Sequence, residues 1–310
     1  MRKVILDMDP GYDDALALCA ALGEPRLEVI AATATGGNVP PEQASRNVQA
    51  LVEQLDPPRW PRIGAATAEQ ILRTDGRAVH GTGGLCGAEF DVAILHNRHL
   101  SIKVLADEVR AAPGEVTIIA TGPLSNIASV LQREPDIAPL IGHLIILGGA
   151  VGVSGDVTPA AEFNIFCDAE AAQIVFRSPV TKTIIPLDVT EQVVMTYDFL
   201  DWLKSREGTS RTARLLLKIA SGAYRVHRQR LALEGIYVHA AVAVIAAVHP
   251  ELFTMHRLRG EVETDGELTY GTTIFDRRRL PDNQPNMDVA LEIDTAGVVD
   301  ALLRALDQAV

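Results

Sequence analysis

The chain has 310 residues, 47% of them hydrophobic, enough to bury a substantial core. Its net charge of −12, from 28 basic and 40 acidic residues, argues against a face that tracks nucleic-acid phosphates. Cys19, Cys86 and Cys167 are too scattered for a zinc site or a disulfide framework, which fits a reducing compartment.

In chain order, short apolar runs at 4–6, 29–33, 116–120, 144–147 and 182–186 predict strands. Helical patterns follow them at 14–22, 41–55, 124–132 and 169–176. This alternation predicts an α/β fold with a mainly parallel, Rossmann-like sheet and helices on both faces. Ligands of such folds bind at the carboxyl ends of the strands. Further on, 211–235 and 238–248 read as helices, 261–276 and 287–293 as strands, and 296–308 as a last helix. No repeat or linker interrupts the chain, so one domain over 1–310 is expected. The opening apolar run is broken by Asp7 and Asp9, and the longest one, 238–248, falls short of the roughly 20 residues that cross a bilayer. A cytoplasmic protein without membrane contact is expected.

The opening Asp7-Met8-Asp9-Pro10-Gly11-Tyr12-Asp13-Asp14-Ala15 brings four carboxylates to one strand–turn–helix corner. Asp7 and Asp9, two apart at a strand end, are expected on the same side. Two carboxylates ~4 Å apart repel by about 4 kcal/mol at an effective dielectric near 20, and a bound calcium or magnesium relieves that repulsion. Helix capping by Asp13 and Asp14 is the simpler alternative. Asp-x-Asp after a strand also opens the haloacid-dehalogenase phosphatases. Those enzymes continue with a small-residue turn and need a lysine and a later acidic pair that find no place here.

This motif closely resembles the signature of the inosine–uridine-preferring nucleoside hydrolases. Thr35-Gly36-Gly37-Asn38, Val79-His80-Gly81-Thr82-Gly83-Gly84-Leu85, Thr121-Gly122-Pro123-Leu124-Ser125-Asn126 and the stretch from Gly155 through Glu162-Phe163-Asn164 to Ala172 resemble further family motifs in the family's order. The resemblance implies a calcium-dependent enzyme that splits the ribose–base bond of ribonucleosides, acting as a homodimer or homotetramer on a small nucleoside. It implies Asp9 as calcium ligand and water-activating base, with Asp14 and the Thr121 carbonyl as further ligands. Asp13, Asn38 and Asn164 would hold the ribose hydroxyls, Glu162 and Asp156 would reach the 5′ end, and His80 would touch substrate. His239 would be the acid for the leaving base.

Two positions depart from the family. Tyr237-Val238-His239-Ala240-Ala241 keeps the histidine but has Ala240 where a calcium-ligating aspartate is expected, and fewer anionic ligands weaken a calcium site. A relative that binds nucleosides or ribose without turnover is the alternative this raises. Asp156 stands where asparagine is usual and, beside Glu162, is expected to repel a 5′-phosphate. His227 and Tyr224, on the helix of 211–235, are candidates to face the base, but among its arginines they read rather as surface or packing residues, and Cys86 and Cys167 as packing residues.

Overall fold

Asp9, Thr121 and Gly148 each lie just past the carboxyl end of a strand, and the order of the strands brings them together. The computed structural model describes every residue except 68–69, 71, 94–97, 281–282 and 310. Its strands are β1 (Arg2–Met8), β2 (Leu27–Ala34), β3 (Arg62–Ala65), β4 (His99–Leu100), β5 (Val116–Ala120), β6 (His143–Leu147), β7 (Lys182–Ile185), β8 (Val194–Met195), β9 (Ile236–Tyr237), β10 (Phe253–Val262), β11 (Thr273–Asp276) and β12 (Met287–Ile293). Ten of them form one sheet in the order β11-β10-β12-β7-β6-β5-β1-β2-β3-β4, and β8 and β9 pair separately. From β4 to β12 all neighbours are parallel, and β10 runs antiparallel to both of its neighbours. Successive strands leave β1 in one direction through β2 and β3, while β5, β6 and β7 extend from its other side. The reversal opens a crevice between the ends of β1 and β5, the place where doubly wound sheets bind ligands.

The helices are α1 (Tyr12–Gly23), α2 (Pro41–Leu55), α3 (Arg77–His80), α4 (Ser101–Ala111), α5 (Ser125–Arg133), α6 (Phe163–Cys167), α7 (Ala169–Arg177), α8 (Leu187–Thr190), α9 (Tyr197–Lys204), α10 (Arg211–Leu231), α11 (His239–Val248) and α12 (Thr295–Gln308). They cover both faces, as the sequence predicts. Along β1, Val4, Leu6 and Met8 join the core beneath α1, α2 and α10–α12, while Ile5 joins the opposite core beneath α4, α5 and α7. This is the period-2 alternation of a strand buried on both sides. Among the described residues no helix is long and apolar enough to cross a membrane.

Three elements differ from the sequence reading. Helix α10 stops at Leu231, because Ala232 takes a left-handed conformation (φ 53°) and sends its N–H back to the His227 carbonyl. β10 begins at Phe253, earlier than expected, since His256, Arg257 and Arg259 interrupt its apolar alternation. Residues 263–272 form a turn between β10 and β11 where strand had been expected.

Candidate active site

The chain leaves β1 at Met8, turns through Asp9-Pro10-Gly11 and enters α1 at Tyr12. Asp9 is fully buried, its Oδ2 accepting from the Asn38 N–H at 2.7 Å, while the Asn38 amide donates to the Asp9 carbonyl at 2.9 Å. Gly37 and Gly122 close around this carboxylate. A Cβ on Gly37 would lie 2.0 Å from Oδ2, and one on Gly122 2.7 Å from Oδ1, so neither position admits a side chain without displacing Asp9. Asp14 accepts from the Thr121 hydroxyl at 2.6 Å and from the Gly11 N–H at 2.9 Å. Asp13 accepts from the Ala240 N–H, at the start of α11, at 3.2 Å.

Burial, together with repulsion from Asp14 and Asp13, pushes the Asp9 carboxyl well above the usual range. Burial and the Asp13 charge raise Asp14 to about 7. Asp7 does not join this group. It sits behind the corner, accepting from the Thr33 hydroxyl at 2.7 Å and the Asn126 amide at 2.8 Å. Because the strand ends at Met8, its two-residue alternation no longer decides where Asp9 points, and the expected four carboxylates become three.

Thr121 follows β5 and is tied to β1 by its N–H, which donates to the Asp7 carbonyl at 2.9 Å. Asn164 spends its amide hydrogens on the carbonyls of Thr121 (2.9 Å) and Leu147 (3.2 Å), which leaves its Oδ1 as an acceptor at the cleft. Glu162 caps α6, accepting from the N–H groups of Gly149, Asn164 and Ile165. Burial, then the Asp156 charge, raises Glu162 to about 8. Asp156 accepts from the Phe163 N–H at 2.8 Å and is raised to about 6 by burial.

Beside Asp13 stands a belt of rings. Tyr12 stacks on His80 (5.2 Å between centroids, 19°) and meets His227 edge-on (5.1 Å, 87°). Tyr237 lies 6.1 Å from His227 and stacks on His239 at 5.1 Å. His227 Nδ1 is 3.0 Å from the Ala223 carbonyl, which can only accept, so the ring proton sits on Nδ1. Nε2 then accepts from the Tyr12 hydroxyl at 3.0 Å. His239 Nδ1 is 2.8 Å from the Thr190 hydroxyl, and burial lowers His239 to about 4, with Asp13 pulling it back up. Burial lowers His80 to about 3, and its Nδ1 has no hydrogen-bond partner.

His227 is thus no surface residue: it is buried, packs against Tyr12 and Tyr237 and also lines the cleft, where the base-facing alternative had placed it. It lies on the buried face of α10 with Ala220 and Ala223, a spacing the sequence carried beneath its run of arginines. Tyr224 packs as expected, its hydroxyl donating to the Thr196 carbonyl at 2.7 Å. Cys86 and Cys167 do not line the cleft, and burial pushes the Cys86 thiol up to about 12.

The cleft encloses about 620 Å³ and gathers Asp9, Asp13, Asp14, Asn38, His80, Thr121, Asp156, Glu162, Asn164 and His239 in its walls. All the site residues expected from sequence therefore line one cavity. Asp75 and Glu191 raise its carboxylates to seven, and among the described residues no lysine or arginine lines it. A divalent cation fits that charge and the oxygen donors of Asp9, Asp14 and the Thr121 carbonyl. Among the described residues no three Asp, Glu, His or Cys side chains are grouped to hold a metal. Ala240 is buried beside Asp13 and offers the corner only its N–H.

Fold and cleft define a doubly wound α/β protein whose ligand site lies at the switch between β1 and β5. A profile of the inosine-uridine preferring nucleoside hydrolases matches residues 4–300, and the chain belongs to that family. It is 38% identical over 298 residues to the non-specific ribonucleoside hydrolase RihC of Escherichia coli O7:K1, covering 95% of this chain and 94% of that one. The purine-preferring ribonucleoside hydrolase from Gardnerella vaginalis superposes with a TM-score of 0.91 at 30% identity over 99% of both chains. A plant nucleoside hydrolase gives 0.91 at 32% identity over 98% of both.

Proposed function

We propose that the chain hydrolyses the N-glycosidic bond of ribonucleosides to ribose and free base, with calcium as cofactor. The observation that carries this reading is one cavity of about 620 Å³ lined by both buried carboxylates and aromatic rings, dimensions and chemistry suited to a sugar and a base. In this reading residues 1–310 act as one domain, within the homodimer or homotetramer that the resemblance implies.

Asp9 and Asp14 with the Thr121 carbonyl would hold the cation, whose positive charge lowers the pKa of a nearby water and offsets the carboxylate repulsion. Asp9 takes the proton of the attacking water, held in place by Asn38 and by the close approach of Gly37 and Gly122. Asp13 and Asn164 Oδ1 accept from ribose hydroxyls, and Asn38 contributes chiefly by fixing Asp9. Glycosidic cleavage passes through an oxocarbenium-like sugar, which the clustered carboxylates stabilise. His80 and His239 face the base, and Asp13 is the neighbour that favours a proton on His239 for transfer to it. Asp156 and Glu162 receive the 5′ hydroxyl and disfavour a 5′-phosphate. Measurable hydrolysis of a nucleoside monophosphate would contradict that last assignment.

A nucleoside-binding protein without turnover is the second reading, and Ala240 is the observation that favours it. Free-ribose release from a panel of purine and pyrimidine ribonucleosides separates the two. Release is expected for at least one nucleoside, whereas binding without release establishes the silent protein.

A further inference from the structure

Two histidines of the cleft are held at Nδ1 by groups of different chemistry. At His227 the partner is the Ala223 carbonyl, which can only accept, so the ring hydrogen stays on Nδ1. At His239 the partner is the Thr190 hydroxyl at 2.8 Å, which can donate as well as accept. Thr190 ends α8, the short helix that follows β7 and sets Leu187 in the cleft wall. The residue is wholly buried, and among the described residues His239 Nδ1 is the one hydrogen-bond partner of its hydroxyl. A hydroxyl enclosed in this way sends its hydrogen to Nδ1 or leaves it unbonded, and an unbonded buried donor is costly. The ring then carries its own hydrogen on Nε2.

Among the described residues no protein group bonds His239 Nε2, and the ring lines the cleft. Tyr237, stacked at 5.1 Å and 30°, holds the plane of the ring at the first residue of α11. We propose that Thr190 is a positioning residue for departure of the base: its hydroxyl donates to His239 Nδ1 and so keeps the ring hydrogen on Nε2, at the cleft. This rests on the nucleoside-hydrolase reading above. Water oxygen bonds to C1′, the water proton goes to Asp9, and the electron pair of the C1′–N bond passes to the base. The base holding that pair meets an N–H rather than a bare lone pair, which eases its negative charge as it leaves. Asp13 favours a hydrogen on this ring, and Thr190 decides which nitrogen bears it.

Thr190→Val keeps the side-chain shape and removes the hydroxyl, and Thr190→Ser restores it. The ribonucleoside cleaved fastest is compared with p-nitrophenyl β-D-riboside, whose phenolate leaves without the help of a hydrogen, at neutral pH with calcium. Thr190→Val should cut kcat for the nucleoside about tenfold with KM little changed, and leave the nitrophenyl riboside within about twofold. Thr190→Ser should recover most of the lost rate. Nitrogen NMR of isotope-labelled histidines in the unaltered protein should show the hydrogen of His239 on Nε2 and that of His227 on Nδ1. Equal losses on both substrates, no loss on the nucleoside, or a His239 hydrogen on Nδ1 would overturn this inference and leave the hydrolase reading standing. No release from either substrate by the unaltered protein would overturn both.

Discussion

At the carboxylate end of the cleft, Asp9, Asp13 and Asp14 come from one strand–turn–helix corner, and each accepts from a backbone N–H. At the ring end, Tyr12, His80, His227 and the Tyr237–His239 stretch arrive from four separate parts of the chain and meet mainly ring against ring. The first end is fixed by covalent nearness and backbone donors. The second depends on α3, α10 and α11 being packed correctly around α1. A change at Asp9, Asp13 or Asp14 should therefore strike the chemical step, and one at Tyr12, His80 or His227 should strike substrate binding.

The sharpest contrast is expected from Asp9→Asn, which removes the base while keeping the side-chain shape. Ribose release should fall by about 10³-fold at saturating substrate, within the range for loss of a general base. Gly37→Ala comes next. Its Cβ would crowd Asp9 Oδ2, and a displacement of that kind should lower kcat by about 10²-fold with the fold intact by circular dichroism. A full-activity Gly37→Ala enzyme would break the claim that this carboxylate is held in one place. Ala240→Asp should tighten calcium binding by about tenfold in a calorimetric titration, since it adds an anionic group beside the corner.

His227→Leu tests the ring end. It leaves the Tyr12 hydroxyl without its acceptor, so KM for ribonucleosides should rise about fivefold while kcat changes less. The smallest effect expected is on stability. Asp14 and Glu162 stay protonated in the folded protein up to about 7 and about 8, whereas unfolded carboxyls ionise near 4. Between about pH 7 and 8 the buried histidines are neutral in both states and Lys182, lowered to about 8 by burial, gives up less proton than Glu162 and Asp14 retain, so the folded state binds more protons and stability falls as pH rises. Chelator-treated protein should thus melt a few degrees lower near pH 8 than near pH 7, and added calcium should narrow the gap. A melting temperature that climbs with pH would show that these carboxyls are not raised.

The same difference between the two ends governs what could be read from sequence. Asp9, Asp13 and Asp14 were legible because eight residues hold the whole corner, and Thr121, Asn164 and Glu162 because they sit in motifs at strand ends. Asp7 was misplaced by extending strand alternation one residue past the strand. His227 was hidden because its meaning depends on α10 lying over Tyr12, a contact between residues 215 positions apart. The parallel core was legible in its apolar runs, whereas β3, β4, β8 and β9 are too short to carry a pattern.

The central claim is that Asp9, Asp14 and the Thr121 carbonyl bind a catalytic cation without a carboxylate at position 240. Its most direct test is a calcium titration of chelator-stripped protein, following heat of binding and free-ribose release together. The account predicts one saturable site and ribose release that rises with the same midpoint. Release that is indifferent to chelation, or calcium binding that Asp9→Asn leaves unchanged, would contradict it.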